Sequence, residues 1–278
     1  MDLIDTHQHL WDLKRFPYSW CASIPALNQS FRLEDYVRAS SGLGITKTVF
    51  VECDVDDPHA LEEARVIQSV ADEHVSIAGI VASARPEREG FRDHLEQLVR
   101  LKKVRGIRRV LHTQPDDLPQ RAGFGENLNL LPDFGLSFDL CVLARQLPQA
   151  IALVRRCPKV SFILDHCGVP DIRSGAMDPW RAHISDLADF PNVVCKISGL
   201  VAYADPKTLT PDVLKPWFEH VVSRFGWDRL VWGGDWPVCT LSTSLAEWVR
   251  ATRELTQAAS ESDRARLFHA NASRVYRL

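Results

Sequence analysis

The feature that most constrains this chain is its rhythm. Short apolar runs rich in β-branched residues begin at Leu3, Thr48, Ser76, Gly106, Leu136, Val160, Val193 and Arg229, and a longer stretch follows each. In the clearest of these stretches, 59–74, Leu61, Ala64, Ile67, Val70 and Ala71 fall at the i, i+3, i+4 spacing of one buried helical stripe. Comparable segments cover 91–103, 146–156, 178–190, 212–225 and 245–258, with a last one over 262–270. Strands alternating with helices imply βαβ units and a parallel sheet. A run such as 160–164, apolar on both faces, suits a strand buried on both sides. Eight such units in 278 residues predict an α/β fold of the (β/α)8 TIM-barrel type. No linker, low-complexity segment or close repeat interrupts them, so 1–278 reads as a single barrel domain. A G-x-G-x-x-G after the first run is missing, which removes the simplest dinucleotide-binding alternative.

Charge and cysteine usage narrow the setting. A net charge of −3, with the basic residues spread out, predicts no nucleic-acid or membrane-surface partner. The seven cysteines include no C-x-x-C pair, and several lie in apolar runs, so neither a disulfide framework nor a zinc ribbon is expected. The first residues show no signal-peptide pattern, and no apolar run approaches the ~20 residues of a membrane span. The expectation is a cytoplasmic protein, with homo-oligomerisation left open.

In a barrel of this kind the chemistry lies at the C-terminal ends of the strands. The first run ends Asp5-Thr6-His7-Gln8-His9, and residues two apart on a strand share a face. His7 and His9 can therefore converge on one metal ion, although an isolated H-x-H is more often a core or surface feature. The sixth run ends Asp165-His166-Cys167-Gly168 and the eighth Gly233-Gly234-Asp235-Trp236-Pro237. His166 and Asp235 would complete a metal-ligand set of His7, His9, His166 and Asp235, suited to one divalent ion such as Zn²⁺. Asp235 could instead cap the helix that follows. Cys167 beside His166 is a poor nucleophile candidate, because adjacent strand residues point to opposite faces. The segment 11–31 is a long loop that offers Trp11, Tyr18 and Trp20 as an apolar wall against a substrate, or as ordinary core.

These motifs, together with Lys196-Ile197-Ser198-Gly199-Leu200, resemble the amidohydrolase superfamily, and within it the amidohydrolase-2 group that contains L-fuconolactonases and L-rhamnonolactonases. The likeness extends over essentially the whole chain and implies a metal-assisted hydrolase that opens a sugar lactone to its hydroxy acid. The chain also departs from the two-metal members of the superfamily, which use a lysine on strand four and a histidine on strand five. Here Arg108, Arg109 and His112 surround strand four and Asp139 lies in strand five, so a single metal is expected. In this reading Asp235 is the general base, and His166 is a ligand or a donor to the developing oxyanion. Arg108, His112, Trp11, Trp20, Asp139 and Lys196 are the candidate substrate contacts, although Lys196 could equally brace the barrel interior. Parity places Arg108 and His112 inward and Arg109 toward the helices. Three alternatives stay open. One is a dicarboxylate or aromatic-derived lactone as substrate, bound by Arg85, Arg108 and Arg145. A second is decarboxylation on the same barrel, and the third is an inactive barrel acting as a binding protein.

Overall fold

The computed structural model describes residues 2–278. Its centre is one eight-stranded parallel sheet in sequential order: β1 (Leu3–Gln8), β2 (Ile45–Val51), β3 (Ile77–Ser83), β4 (Val104–Val110), β5 (Ser137–Cys141), β6 (Phe162–Leu164), β7 (Val193–Ile197) and β8 (Leu230–Trp232). Between β8 and β1 the ring closes just beyond the strands. There Asp235 N donates to His7 O at 2.8 Å and His9 N to Trp236 O at 2.9 Å. All eight expected strands form; Leu3 and Val193 begin theirs as expected, and the other starts move by one to three residues.

Helices α1 (Leu33–Ser40), α2 (Ala60–Glu73), α3 (Phe91–Leu98), α4 (Phe124–Leu128), α5 (Leu147–Arg156), α6 (Trp180–Ala188), α7 (Pro211–Phe225) and α8 (Leu245–Leu255) surround the barrel. Two of them, α1 and α4, are absent from the sequence reading. The first is eight residues long and carries only Leu33 and Tyr36 as buried anchors, too few for a periodic signal. The expected helix over 91–103 stops at Leu98, because the chain must turn before β4. The final segment continues past Ala270: α9 (Glu261–Ala265) passes through a π turn, Arg266–Ala270, into α10 (Asn271–Tyr276).

Two apolar compartments follow from the strand alternation. One face of the strands packs under the helices, with Phe50, Phe138, Phe162 and Trp232 among the fully buried side chains. The other fills the barrel axis with Ile4, Val49, Val51, Val81, Ile163 and Val231. Large side chains on the first face and branched ones on the second are what a closed barrel accommodates. Register shifts near the end of β1, between Asp5 and Gln8, change its parity. Ile4 faces the axis, Asp5 turns outward to the Tyr36 hydroxyl of α1 at 2.7 Å, and His7 faces the axis again.

Candidate active site

A cleft of about 340 Å³ opens at the C-terminal ends of the strands. Its floor is made by His9, Arg108, His112, Cys141, His166 and Asp235. The loop 11–31 forms one wall and is closed at its base by paired Trp11 and Phe31, whose backbone bonds are 2.9 and 2.8 Å. Trp20 Nε1 fastens the loop to the end of β2 by donating to Cys53 O at 2.8 Å. Trp11 and Trp20 meet edge to face at 5.5 Å, and both line the cleft as expected. Tyr18 is buried away from it, with its hydroxyl on Glu63.

Asp5 holds the end of β8 in place. Its carboxylate accepts from Gly234 N at 2.7 Å and His7 N at 3.0 Å, joining the two strand ends that carry the key side chains. His7 Nε2 then lies 3.1 Å from His9 Nε2, while Asp235 Oδ1 is 3.8 Å from the first and 3.6 Å from the second. His166 adopts φ +54°, unusual for a residue with a side chain. This turn lets both Asp165 and His166 face the axis instead of opposite sides. His166 Nδ1 meets Ser198 Oγ at 2.9 Å and stands 4.0 Å from Asp235 Oδ2. His9, His166 and Asp235 thus gather around His7 at the strand ends.

The arrangement suits a divalent cation. His9 Nδ1 bonds Val51 O at 2.8 Å, and a proton on that nitrogen leaves Nε2 free as a lone-pair donor. Burial first, then the Lys196 charge, push His7 well below the ordinary histidine range, so its imidazole stays neutral. Burial also lowers His166, against the opposing pull of Asp235. Neutral imidazoles and a carboxylate are what a zinc-type ion requires. His7, His166 and Asp235 offer ligand atoms within 4.8 Å of one another, and His9 Nε2 adjoins His7 at 3.1 Å; these four are the residues that could hold it.

Arg108 enters the same space from β4. Its Nε donates to Glu52 Oε1 at 2.7 Å, while Nη1 stands 3.4 Å from Asp165 Oδ2 and 3.3 Å from His7 Nε2. Arg109 points outward to Glu87, as parity predicts. His112 lies against Cys141 Sγ at 3.3 Å, and burial with the Arg108 charge lowers it to about 4.

Two expected substrate contacts are placed elsewhere. Asp139 and Lys196 are buried on the barrel axis beneath His7 and do not line the cleft. Lys196 Nζ reaches Asp139 Oδ2 at 2.6 Å, Asp165 Oδ1 at 2.8 Å and His7 Nδ1 at 3.1 Å. A buried ammonium is tolerated only when so paired, and the pairing occupies both partners. Of the two roles weighed for Lys196, bracing the barrel is the one its contacts support. Cys167 is fully buried with Sγ toward Lys196 O, which rules it out as an exposed nucleophile.

Glu52, Asp54, Asp165 and Tyr203 also belong to this region and were not singled out from sequence. Asp165 was visible beside His166, but its ionic role needs Arg108 and Lys196 from two other strands. Tyr203 follows β7 in a short 3-10 turn and gives the sequence no periodic signal.

The family profile for amidohydrolases matches residues 4–278. The chain belongs to the amidohydrolase family. This amidohydrolase is 31% identical to an L-fucono-1,5-lactonase of Burkholderia ambifaria over 99% of this chain and 95% of the relative. It is 26% identical to a 4-sulfomuconolactone hydrolase of Rhizobium radiobacter, over 84% of this chain and 75% of that one. Among solved structures, an amidohydrolase of Burkholderia multivorans with bound zinc matches with a TM-score of 0.91 at 27% identity, covering all of both chains. The barrel expected from sequence is thus the fold of the family, and no helix among the described residues is long and apolar enough to cross a membrane.

Proposed function

We propose that this amidohydrolase opens a neutral lactone, of the sugar-lactone type, to its hydroxy acid. The observation that carries the reading is one carboxyl group, Asp235, set among the buried imidazoles of His7, His9 and His166 at the closed end of a largely apolar cleft. Relatives that act on different lactones support the reaction class.

Charge argues for a neutral substrate. Arg108 is the one lysine or arginine lining the cleft among the described residues, and Glu52 and Asp165 already pair with it. Arg85 is tied to Asp54 at 3.5 Å and Asp57 at 3.9 Å, and Arg145 is paired with Asp116 on the surface. A dicarboxylate would find no free cation at the mouth. Trp20 and Tyr203 offer faces to a sugar ring, while Asp54, Ser23, Thr113 and His112 supply polar groups for its hydroxyls.

In the reaction Asp235 takes a proton from water as its oxygen attacks the lactone carbonyl. Arg108 and His166, which both line the cleft, are the donors in this reading for the negative charge that develops on the carbonyl oxygen, and donors aimed there stabilise the transition state. Collapse breaks the ring C–O bond, and Asp235 returns its proton to the leaving oxygen. One divalent ion, zinc in this reading, would supply Lewis acidity when bound by His7, His9 and Asp235.

Asp235→Asn tests the assignment. Hydrolysis of the best substrate from a panel of aldonolactones, followed by acid release, should fall by about 10²–10⁴-fold while the thermal midpoint stays near wild type. Activity near wild type would remove Asp235 from the mechanism. Preferential turnover of dicarboxylate lactones would overturn the neutral-substrate reading.

A further inference from the structure

The last helix closes the barrel from the end opposite the cleft. Arg277 donates to Arg105 O and Gly135 O, at the entries of β4 and β5, at 2.7 and 2.6 Å. Leu278 lies over Gly79, where even a methyl group would crowd it. From this plug Tyr276 projects fully buried into the barrel axis, among Ile4, Val49, Val81, Ile163 and Val231. A purely apolar side chain would suit such surroundings, yet this one carries a hydroxyl.

That hydroxyl has a specific partner. It donates to Asp139 Oδ2 at 2.9 Å, and the same oxygen accepts from Lys196 Nζ at 2.6 Å. Asp139 Oδ1 has no hydrogen-bond partner among the described residues, so Oδ2 carries both contacts. Lys196 Nζ lies 5.6 Å from the Tyr276 ring centroid and continues upward to His7 Nδ1 at 3.1 Å. Burial pushes the Tyr276 hydroxyl well above the usual phenol range, so it remains a donor. Burial alone would push the Lys196 ammonium down, but Asp139 and Asp165 outweigh it and keep it charged.

We propose that Tyr276 positions His7 from the opposite end of the barrel, acting through Asp139 and Lys196. The hydroxyl orients the carboxylate, the carboxylate orients the ammonium, and the ammonium holds Asp165 Oδ1 at 2.8 Å, which stands 3.5 Å from the His7 ring nitrogen behind the one that faces the cleft and can accept its proton. The C-terminal plug and the active site are therefore one hydrogen-bonded column. Tyr276 touches no substrate in this arrangement and is a positioning residue. The inference rests on His7 belonging to the proposed active site.

Tyr276→Phe keeps the ring and deletes only the hydroxyl. In the full-length protein, the ring-nitrogen NMR resonances of His7, assigned by their loss in His7→Gln, should shift, whereas those of His112 should not. With a lactone that the wild type opens, kcat should fall by about 10–100-fold at unchanged KM, as for outer partners of functional histidines. An unmoved His7 resonance, or a wild-type kcat, overturns the proposal and leaves Tyr276 as packing alone. Asp139→Asn removes the next link and should shift the same resonance; if Tyr276→Phe does not fold, this variant decides by the same two outcomes. A wild-type protein that opens no lactone refutes the functional reading, and the His7 resonance then decides the positioning by itself.

Discussion

Glu63 is a carboxyl group enclosed by the core behind the first loop, with Tyr18 hydroxyl on Oε1 at 3.1 Å. Burial, reinforced by Glu52, raises it to about 8, far above its value of 4.5 when exposed. The folded state therefore holds this proton where the unfolded chain has lost it. Its contribution to stability is complete below pH 4.5 and declines as pH rises through 8. A tenfold change in proton affinity corresponds to about 1.4 kcal/mol, so the whole loss is at most roughly 5 kcal/mol. Glu63→Gln should thus gain in thermal midpoint over wild type as pH rises from 5 to about 8, then level off. A difference that stays flat with pH would show that Glu63 is not protonated in the fold. Arg108 shows the opposite case: Glu52, Asp165 and other neighbouring groups outweigh burial and keep its guanidinium charged.

At the scale of elements, the strand ends matter more than the strands. Three of them have an unusual backbone in the exit turn: His166 at φ +54° after β6, Gly199 at φ +65° after β7 and Asp235 at φ +55° after β8. Gly199 is required twice. Its left-handed conformation disfavours any other residue by about 1–2 kcal/mol, and an added Cβ would overlap the His166 ring. Gly199→Ala is expected to displace His166 from Ser198 and lower kcat on the order of 10²-fold. The loss of thermal stability should be modest. Unchanged kinetics would mean that the turn after β7 does not hold His166 in place. Both loop tryptophans were anticipated as cleft wall, but the bond from Trp20 to Cys53 O lies between segments 33 residues apart and has no local signature.

Across the whole molecule, the barrel stacks two chemistries along its axis. Branched apolar side chains fill the lower part, and above them Lys196, Asp139, Asp165, Arg108 and Glu52 form a buried ionic layer under the histidines. Several of the imidazoles that this fold encloses are held neutral by burial, so acid should unfold it early. His112 alone is lowered from 6.5 to about 4, so the unfolded chain takes up a proton that the folded chain refuses between those values. The contribution is whole above pH 6.5 and is lost as pH falls toward 4, to a total of roughly 3 kcal/mol. His7 and His166 are lowered in the same direction. Thermal midpoints measured from pH 7 down to pH 4 should fall steadily, and less steeply in His112→Asn. An equal slope in that variant would remove His112 from the acid response.

Periodicity is a local property, repeated within a few residues, and it was enough for the eight strands, most of the helices and the outward turn of Arg109, but not for the parity change within β1 or for the shared side of Asp165 and His166. It also marked the strand ends where His7, His9, His166 and Asp235 lie, but the turns that carry His166 and Asp235 past the ends of β6 and β8 have a backbone that strand alternation does not encode. Depth along the axis is different. Lys196 and Asp139 have the correct parity for the interior, yet they lie below the cleft and not in it. How far each strand is slid past its neighbour depends on the tilt and stagger with which the sheet closes, and no single strand encodes that. The same closure brings Tyr276, from the far end of the chain, under Asp139 and Lys196, and turns a terminal residue into part of the active-site scaffold.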